Sequence, residues 1–181
     1  MFEVRMLLSR RTYAKILPEY SNIIVHMCYA TSKLWNVCNY ERRHYKELGR
    51  EKYPDWYYQK KAHKGDLWYR QLPSQIAQEI CKQLDKAWRS FYVLKKTGGV
   101  KDPNPPRFKQ DNIPVTYMQM GIRHEKGSDR LRLSLPKDLK SYMEETYGIH
   151  ERFLYLENKI FRDMDHIKPV SYTHLRAHET G

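Results

Sequence analysis

The hydrophobic period of this chain changes at a proline-rich segment, residues 101–106, and this change constrains the fold more than any other feature. Before the segment, apolar residues recur at three- and four-residue steps, the spacing of one face of an α-helix. After it, apolar and polar residues alternate as in half-buried β-strands. Its prolines lack the N–H groups that a helix interior or a central strand requires. The sequence therefore predicts an α+β fold in which a rigid connector follows a helical stretch and precedes strands.

Two long amphipathic helices are predicted before the connector. The first starts at Pro18, whose missing N–H would be unpaired there anyway, and its pattern runs for roughly 28 residues before Gly49 stops it. The second starts at Ser74, a residue type suited to the N-cap, and ends at Gly98. Residues 50–71 fit no single period, so we expect a short helix flanked by loops.

Strands are predicted on both sides of the helical stretch. Residues 2–8 alternate in polarity before the first helix. Residues 115–120 and 131–135 alternate in the same way, and turn-forming residues lie between them, so we expect these two strands to form a hairpin. A helix over 136–147 and a strand over 153–156 complete the prediction.

The charge distribution favours a polyanionic partner. The formal net charge is +12, and residues 111–181 contain as many acidic as basic residues, so the whole excess lies in the first 110 residues. A basic excess of this kind commonly binds nucleic acid, although a solvated surface would have the same composition.

Basic residues alternate with flat rings in two stretches, which is the combination that binds phosphates and stacks unpaired bases. Trp56, Trp68 and Trp88 are interpreted as core residues instead of stacking platforms. Gln75 and Gln78, beside Lys82, could read adenine in a major groove, although surface glutamines are common on helices. The candidate binding residues are Tyr57, Tyr58, Lys60, Lys61 and Lys64 in the first stretch, Arg107, Phe108 and Lys109 in the second, Ser74, Gln75, Gln78 and Lys82 on the second long helix, and Arg10 and Arg11 in a basic turn after the first strand.

Other classes of protein find little support in the sequence. The cysteines at 28, 38 and 81 form no CxxC pair, so we expect buried, reduced thiols and neither a disulfide framework nor a zinc site. There is no phosphate-binding loop, nucleophile elbow or HExxH motif. The sequence has no signal-peptide pattern and no apolar run long enough to cross a membrane, so we expect a cytoplasmic protein that does not bind membranes.

The second long helix and the connector resemble a known family. Residues 72–78 read LPSQIAQ, residues 84–92 read LDKAWRSFY, and residues 106–109 read PRFK. This succession resembles the TnpB/OrfB family of transposon-associated proteins, and the Trp35-Asn36 pair and residues 131–137 resemble further family segments. The resemblance covers roughly residues 1–170.

The resemblance implies a small wedge-type β-barrel interrupted by a helical recognition domain, as in compact type V CRISPR effectors. It divides the chain into a first wedge strand (1–15), the helical insert (16–99) and the remainder of the barrel (100–169). Proteins of this family bind a guide RNA and target-adjacent DNA. By the resemblance, Ser74, Gln75 and Gln78 face the target-adjacent duplex, and Arg107 and Lys109 lie near the RNA–DNA scaffold.

The family's nuclease is not recognisable here. Its RuvC-like domain uses Asp, Glu and Asp with Mg²⁺, carries an inserted zinc ribbon and opens with a Gly-x-Asp-x-Gly strand, whereas Gly148-Ile149 is followed by His150. We therefore expect an incomplete barrel without a nuclease domain, without a cofactor and without catalysis. Residues 170–181 resemble translated sequencing adapter and are expected to be foreign to the fold.

Two alternatives stay open. A free-standing DNA-binding regulator would read a major groove with the 74–94 helix, in the manner of a helix-turn-helix protein. A metal-dependent enzyme would use His124, Asp163 and Asp165, for which no spacing rule gives support.

Overall fold

The computed structural model describes residues 14–163 and the backbone of residues 173–175. These residues form a mixed fold of helices and small antiparallel sheets, so the α+β class is confirmed at that level. The helices are α1 (Pro18–Arg43), α2 (Trp56–Ala62), α3 (Leu67–Arg70), α4 (Ser74–Thr97) and α5 (Lys137–Tyr147). The strands are β1 (Val115–Tyr117), β2 (Ile122–His124), β3 (Arg130–Ser134), β4 (Phe153–Glu157) and β5 (Thr173–Leu175).

Helix α1 is the central element of the helical stretch. Pro18 is its first residue, as predicted, and Ile23, Met27 and Leu34 bury one of its faces completely. The helix ends at Arg43, and irregular turns continue the chain to Gly49, whose φ of +72° closes them. The observed length of 26 residues is close to the predicted length, because the apolar stripe determines how much of the helix packs against the core.

Helix α4 packs against α1 and buries Ala77 and Leu84, and its Trp88 donates a hydrogen bond from Nε1 to Asn39 of α1 at 2.9 Å. Its predicted start needs a correction, because the N-cap is Pro73 and the Ser74 hydroxyl makes no capping bond. The extended Pro73 presents its carbonyl to the first turn, where the N–H groups of residues 76 and 77 donate to it at 2.8 and 3.1 Å. Gly98 ends the helix in the left-handed conformation, as predicted.

The predicted hairpin is wrong in one of its strands. Strand β3 pairs with β2 across the expected turn, giving the sheet order β2-β3-β4, whereas β1 pairs with β5. A 3₁₀ turn at Gln119–Gly121 separates β1 from β2. Tyr117 explains the separation, because its buried ring packs towards α1 and its hydroxyl donates to the Ser134 carbonyl at 3.0 Å. Strand β1 therefore joins the core and not the hairpin.

The two ends of the chain are described in part. The predicted strand over residues 2–8, with Arg10 and Arg11, lies outside the described residues. Lys15 forms an antiparallel bridge with Glu157 at the edge of β4. Strand β5 lies within 170–181, so at least three residues of that segment pair with β1, contrary to the expectation that it takes no part in the fold. Its foreign origin stays a prediction.

The helical and strand-containing stretches share one hydrophobic core. At their junction, the His26 ring stacks on Tyr142 of α5 with 4.2 Å between centroids. Arg70 of α3 forms an ion pair with Asp138 of α5 at 2.8 Å. Among the helices of the described ranges, none is both long and apolar enough to cross a membrane.

Candidate nucleic-acid interface

Four side chains from α2 and α4 form a group that we call the aromatic–lysine cluster: Trp56, Tyr57, Lys60 and Lys82. The Lys60 ammonium lies 4.4 Å from the centre of the Trp56 ring and 4.9 Å from that of Tyr57. Lys82 approaches the Trp56 ring to 4.9 Å from α4. The Trp56 ring centre lies 3.9 Å from that of Tyr57, and Tyr57 is still 56% exposed, so part of its ring is accessible to a ligand. The cluster therefore combines an accessible ring with two cations, the arrangement that stacking and phosphate binding require.

The lysines of α2 and its surroundings carry uncompensated charge. Within residues 14–163, no carboxylate forms an ion pair with any of Lys60, Lys61, Lys64 or Lys82. Arginines nearby behave differently, since Arg50 pairs with Glu41 and Arg89 pairs with Asp85. The lysine charges are thus available to phosphates, whereas much of the arginine charge holds the fold together.

Helix α2 is fixed in place by a buried polar network. Gln59, which is fully buried, accepts a hydrogen bond from Arg42 Nε at 2.8 Å and donates to the Cys38 carbonyl at 2.8 Å. Arg42 in turn pairs with Asp85 of α4 at 2.9 Å. Because the network joins α1, α2 and α4, it holds Trp56 and Tyr57 in a fixed position relative to Lys82.

A second part of the network holds the end of α2. His63 lies between Glu41, at 2.9 Å, and Asp66. Burial alone would lower the pKa of His63, but hydrogen bonds to the two carboxylates and their charges raise it to about 9. Burial would raise the pKa of Glu41, but hydrogen bonds from His63 and Gln59 and the charges of His63 and Arg50 hold it below its usual value. The group is therefore a charged, structural network at neutral pH.

The neighbouring tyrosine, Tyr58, is engaged within the protein. The Arg50 guanidinium lies 4.7 Å from its ring centre and also hydrogen-bonds its hydroxyl. The two tyrosines predicted together thus differ in their partners: Tyr57 lies beside Trp56 and Lys60 and is the more exposed, whereas Tyr58 binds an arginine that is itself paired with Glu41.

The residues from Pro106 to Ile113 begin at the end of the proline-rich segment 101–106, and this stretch is called the connector from here on. It runs along α1 and bends at Asp111. Side chains of one α1 stripe bind its backbone at residues 106, 107, 109, 111 and 113. Asn36 donates to the Lys109 carbonyl at 2.9 Å and accepts from the Lys109 N–H at 2.7 Å. The remaining bonds run from Trp35 Nε1 to the Arg107 carbonyl (3.0 Å), from Asn39 and Arg43 to the Pro106 carbonyl (2.9 and 2.6 Å), from Ser32 to the Asp111 carbonyl (2.8 Å), and from the Ile113 N–H to Ser32 (2.8 Å).

The hydrogen bonds from α1 hold the backbone of three candidate residues, Arg107, Phe108 and Lys109, in place. Phe108 is 42% exposed and has the Arg43 guanidinium 4.9 Å from its ring centre. The Lys109 ammonium lies 4.9 Å from the Trp35 ring centre. Arg107 is exposed, and no carboxylate of the described chain pairs with it. The connector therefore presents two cations and a ring from a fixed backbone.

The candidate residues at the start of α4 are less free than expected. Gln75 donates to the sulfur of Met120 at 3.0 Å. Burial raises the pKa of Tyr69, and the neighbouring Gln78 side chain partly offsets this rise, so Gln78 lies against the Tyr69 hydroxyl. Ser74 is exposed. That Gln75 and Gln78 contact adenine in a major groove stays a prediction.

Other expectations can be compared with the structure. Trp88 is a core residue as predicted, and Cys28, Cys38 and Cys81 are buried as predicted and form no disulfide among the described residues. Trp56 and Trp68 are only half-buried, so the interpretation of all three tryptophans as core residues holds fully for Trp88 alone. In the part of the chain that the structure describes, no three His, Cys, Asp or Glu side chains are grouped to hold a metal ion.

Several residues that shape the interface were not among the predicted sites. Ser32, Asn36, Asn39 and Arg43 recur at three- and four-residue steps, so they form a polar stripe on α1 that the sequence displays. Arg42, Gln59 and His63 gave no such signal, because their buried partners are at least 17 residues away; Asp66, three residues after His63, is a local partner. No protein-family model matches the chain, and no curated protein matches it significantly.

Proposed function

We propose that this chain binds nucleic acid, as the N-terminal, non-catalytic portion of a TnpB-like RNA-guided DNA endonuclease that contacts guide RNA and target-adjacent DNA. The observation that carries the proposal is the aromatic–lysine cluster, where uncompensated lysines surround an exposed ring. The residues 72–92 and 106–109, which resemble the family, form α4 and the connector in the structure.

The cluster suits a nucleic acid better than another polyanion. Each phosphate bound by a lysine releases counterions from the nucleic acid, which gives affinity without sequence preference. A base stacked on the Tyr57 ring would add about 1–3 kcal/mol, and only a nucleic acid supplies both groups at once. The buried network beneath α2 supports this use, because a fixed ring loses little conformational freedom on binding.

The wedge-type barrel belongs to the same proposal. Short antiparallel strands around α5, with Lys15 bridging the edge of β4, are compatible with a small barrel that the helical stretch interrupts. In the proposed protein, the Mg²⁺-dependent RuvC-like nuclease and the zinc ribbon are separate from residues 1–169. The chain alone is therefore proposed to bind without cutting.

The test compares two variants of equal charge. Replacing Lys60, Lys61 and Lys64 by Gln should weaken binding of a structured RNA and flatten the slope of log affinity against log salt by about 2–3, since each lost phosphate contact removes about 0.7–0.9. The control replaces Lys137, Lys140 and Lys159, which lie in the charge-balanced part of the chain, and should leave the slope nearly unchanged. Fluorescence anisotropy measures the affinity of each variant for the RNA between about 50 and 300 mM salt, and the slope follows from these affinities.

Equal slopes for the two variants would mean that net charge alone attracts RNA, and Lys60, Lys61 and Lys64, of which Lys60 belongs to the cluster, would lose their role. Absence of binding by the wild-type chain would remove the proposal altogether. Specific cleavage of a target by purified residues 1–181 with Mg²⁺ and guide RNA would contradict its non-catalytic part.

A further inference from the structure

From Arg107 onward, α1 binds the backbone of the connector at alternate residues only. The groups that α1 binds beyond Pro106 belong to Arg107, Lys109, Asp111 and Ile113, which are all odd-numbered. In an extended chain, the N–H and C=O groups of successive residues point to opposite edges. Over residues 107–110, before the bend at Asp111, the backbone groups of Phe108 and Gln110 therefore point away from α1, and nothing in the described part of the chain binds them.

This free edge is open to solvent and rigid. Residues 107–112 are all exposed. A strand edge normally attracts another chain because its N–H and C=O groups are unpaired. Here the α1 side chains hold residues 107–110 in place before the chain bends at Asp111, so a ligand would meet donors that are already in position.

Charge identifies the ligand. Arg107 and Lys109 have no carboxylate partner among the described residues, and Arg43 lies over the Phe108 ring. Asp111 is the one acidic residue between positions 103 and 124, so cations predominate along the edge. An extended anion with phosphates and planar bases matches this edge, because backbone N–H groups bind phosphate oxygens and Phe108 offers a stacking surface.

We propose that the free edge of the connector binds single-stranded nucleic acid, with the N–H groups of Phe108 and Gln110 donating to successive phosphates and a base stacked beside Phe108. This inference rests on the proposed function and deepens it, because it assigns a single strand to this edge. A duplex is disfavoured, since its phosphates follow a helical path and its bases are not accessible to Phe108.

The first experiment removes one donor without removing charge. Gln110→Pro deletes the outward N–H, and its fixed φ suits an extended backbone. Gln110→Ala is the matched control, since it removes the side chain and keeps the N–H. With a fluorescent oligouridylate as probe, Gln110→Pro should weaken binding about tenfold relative to Gln110→Ala, the effect of one hydrogen bond to a charged group. The salt slope should not change.

The second experiment uses the unaltered chain, so it stands if the proline variant misfolds. The amides of Lys109 and Ile113 should exchange slowly in the free protein, because Asn36 and Ser32 bind them. The amides of Phe108 and Gln110 should exchange fast, and should become protected when the oligouridylate is added.

The outcomes separate the two proposals. If the wild-type chain binds neither RNA nor DNA, the proposed function and this inference both fall. If it binds the oligouridylate while the amides of 108 and 110 stay unprotected, only the inference falls. Protection by an extended peptide, but not by the oligouridylate, would assign the edge to a protein partner and would also overturn it.

Discussion

Arg42 is completely buried, and three neighbouring side chains compensate its charge, although Nη2 is buried without a hydrogen-bond partner among the described residues. Asp85 supplies the counter-charge at 2.9 Å, Gln59 accepts from Nε, and the Tyr53 ring lies 5.4 Å from the guanidinium carbon. A buried ion pair contributes little net stability, but removal of one partner costs about 3–5 kcal/mol. Arg42 therefore fixes the positions of α1, α2 and α4 more than it stabilises them.

His63 should make the stability of the fold depend on pH. Its pKa is about 9 in the folded protein and about 6.5 in an unfolded chain. Because the folded value is higher, protonation of His63 stabilises the folded state. This contribution to the free energy of unfolding is complete below pH 6.5 and is lost as the pH rises through 9. The loss is at most about 3 kcal/mol. Urea unfolding at several pH values measures it.

The His63→Gln variant should lose most of this dependence between pH 6.5 and 9, because Gln does not titrate. His44→Gln is the control, since His44 pairs with Glu47 at the surface and its removal should leave the dependence in place. If His63→Gln kept the wild-type pH dependence of the free energy of unfolding, the ion pairs of His63 with Glu41 and Asp66 would not be its cause.

At the scale of elements, the connector depends on single side chains of α1. Asn36→Ala removes both bonds to the Lys109 backbone and should lower the free energy of unfolding by only about 1–2 kcal/mol, since the site is exposed to water. The exchange of the Lys109 amide should accelerate much more than that of amides in α1. Asn22→Ala, an exposed asparagine of the same helix, should change neither quantity. An unchanged Lys109 amide in Asn36→Ala would mean that proline stiffness alone orders the connector.

Local patterns predicted the elements well and their partners poorly. The apolar stripes of α1 and α4 depend on a repeat within one helix, so the helices lie where the sequence indicated. The hairpin failed because alternation marks strands but does not select partners, and the buried Tyr117 draws β1 into the core. In the candidate site, the cations and rings were visible in the sequence. The difference between Tyr57 and Tyr58 was not, because it depends on Arg50, which the fold brings to one of them.

For the whole molecule, one core implies one cooperative transition. Tyr117 of β1 is buried against α1, and the stacked His26 and Tyr142 join α1 to α5, so the helical stretch and the sheets bury each other's apolar surface. Domains of this size usually unfold in a single step when their core is continuous. We expect the two stretches to lose structure together.

Tyr117→Ala tests this expectation. Loss of a fully buried ring should lower the free energy of unfolding by about 3–5 kcal/mol, whereas Tyr57→Ala, at an exposed ring, should change it by less than about 0.5 kcal/mol. All four tryptophans lie between residues 35 and 88, so their fluorescence reports on the helical stretch alone. Amide exchange of β3 reports on the sheet. If Tyr117→Ala destabilises β3 while the tryptophan transition keeps its midpoint, the two stretches are independent domains, and the helical stretch with its aromatic–lysine cluster folds without the strands.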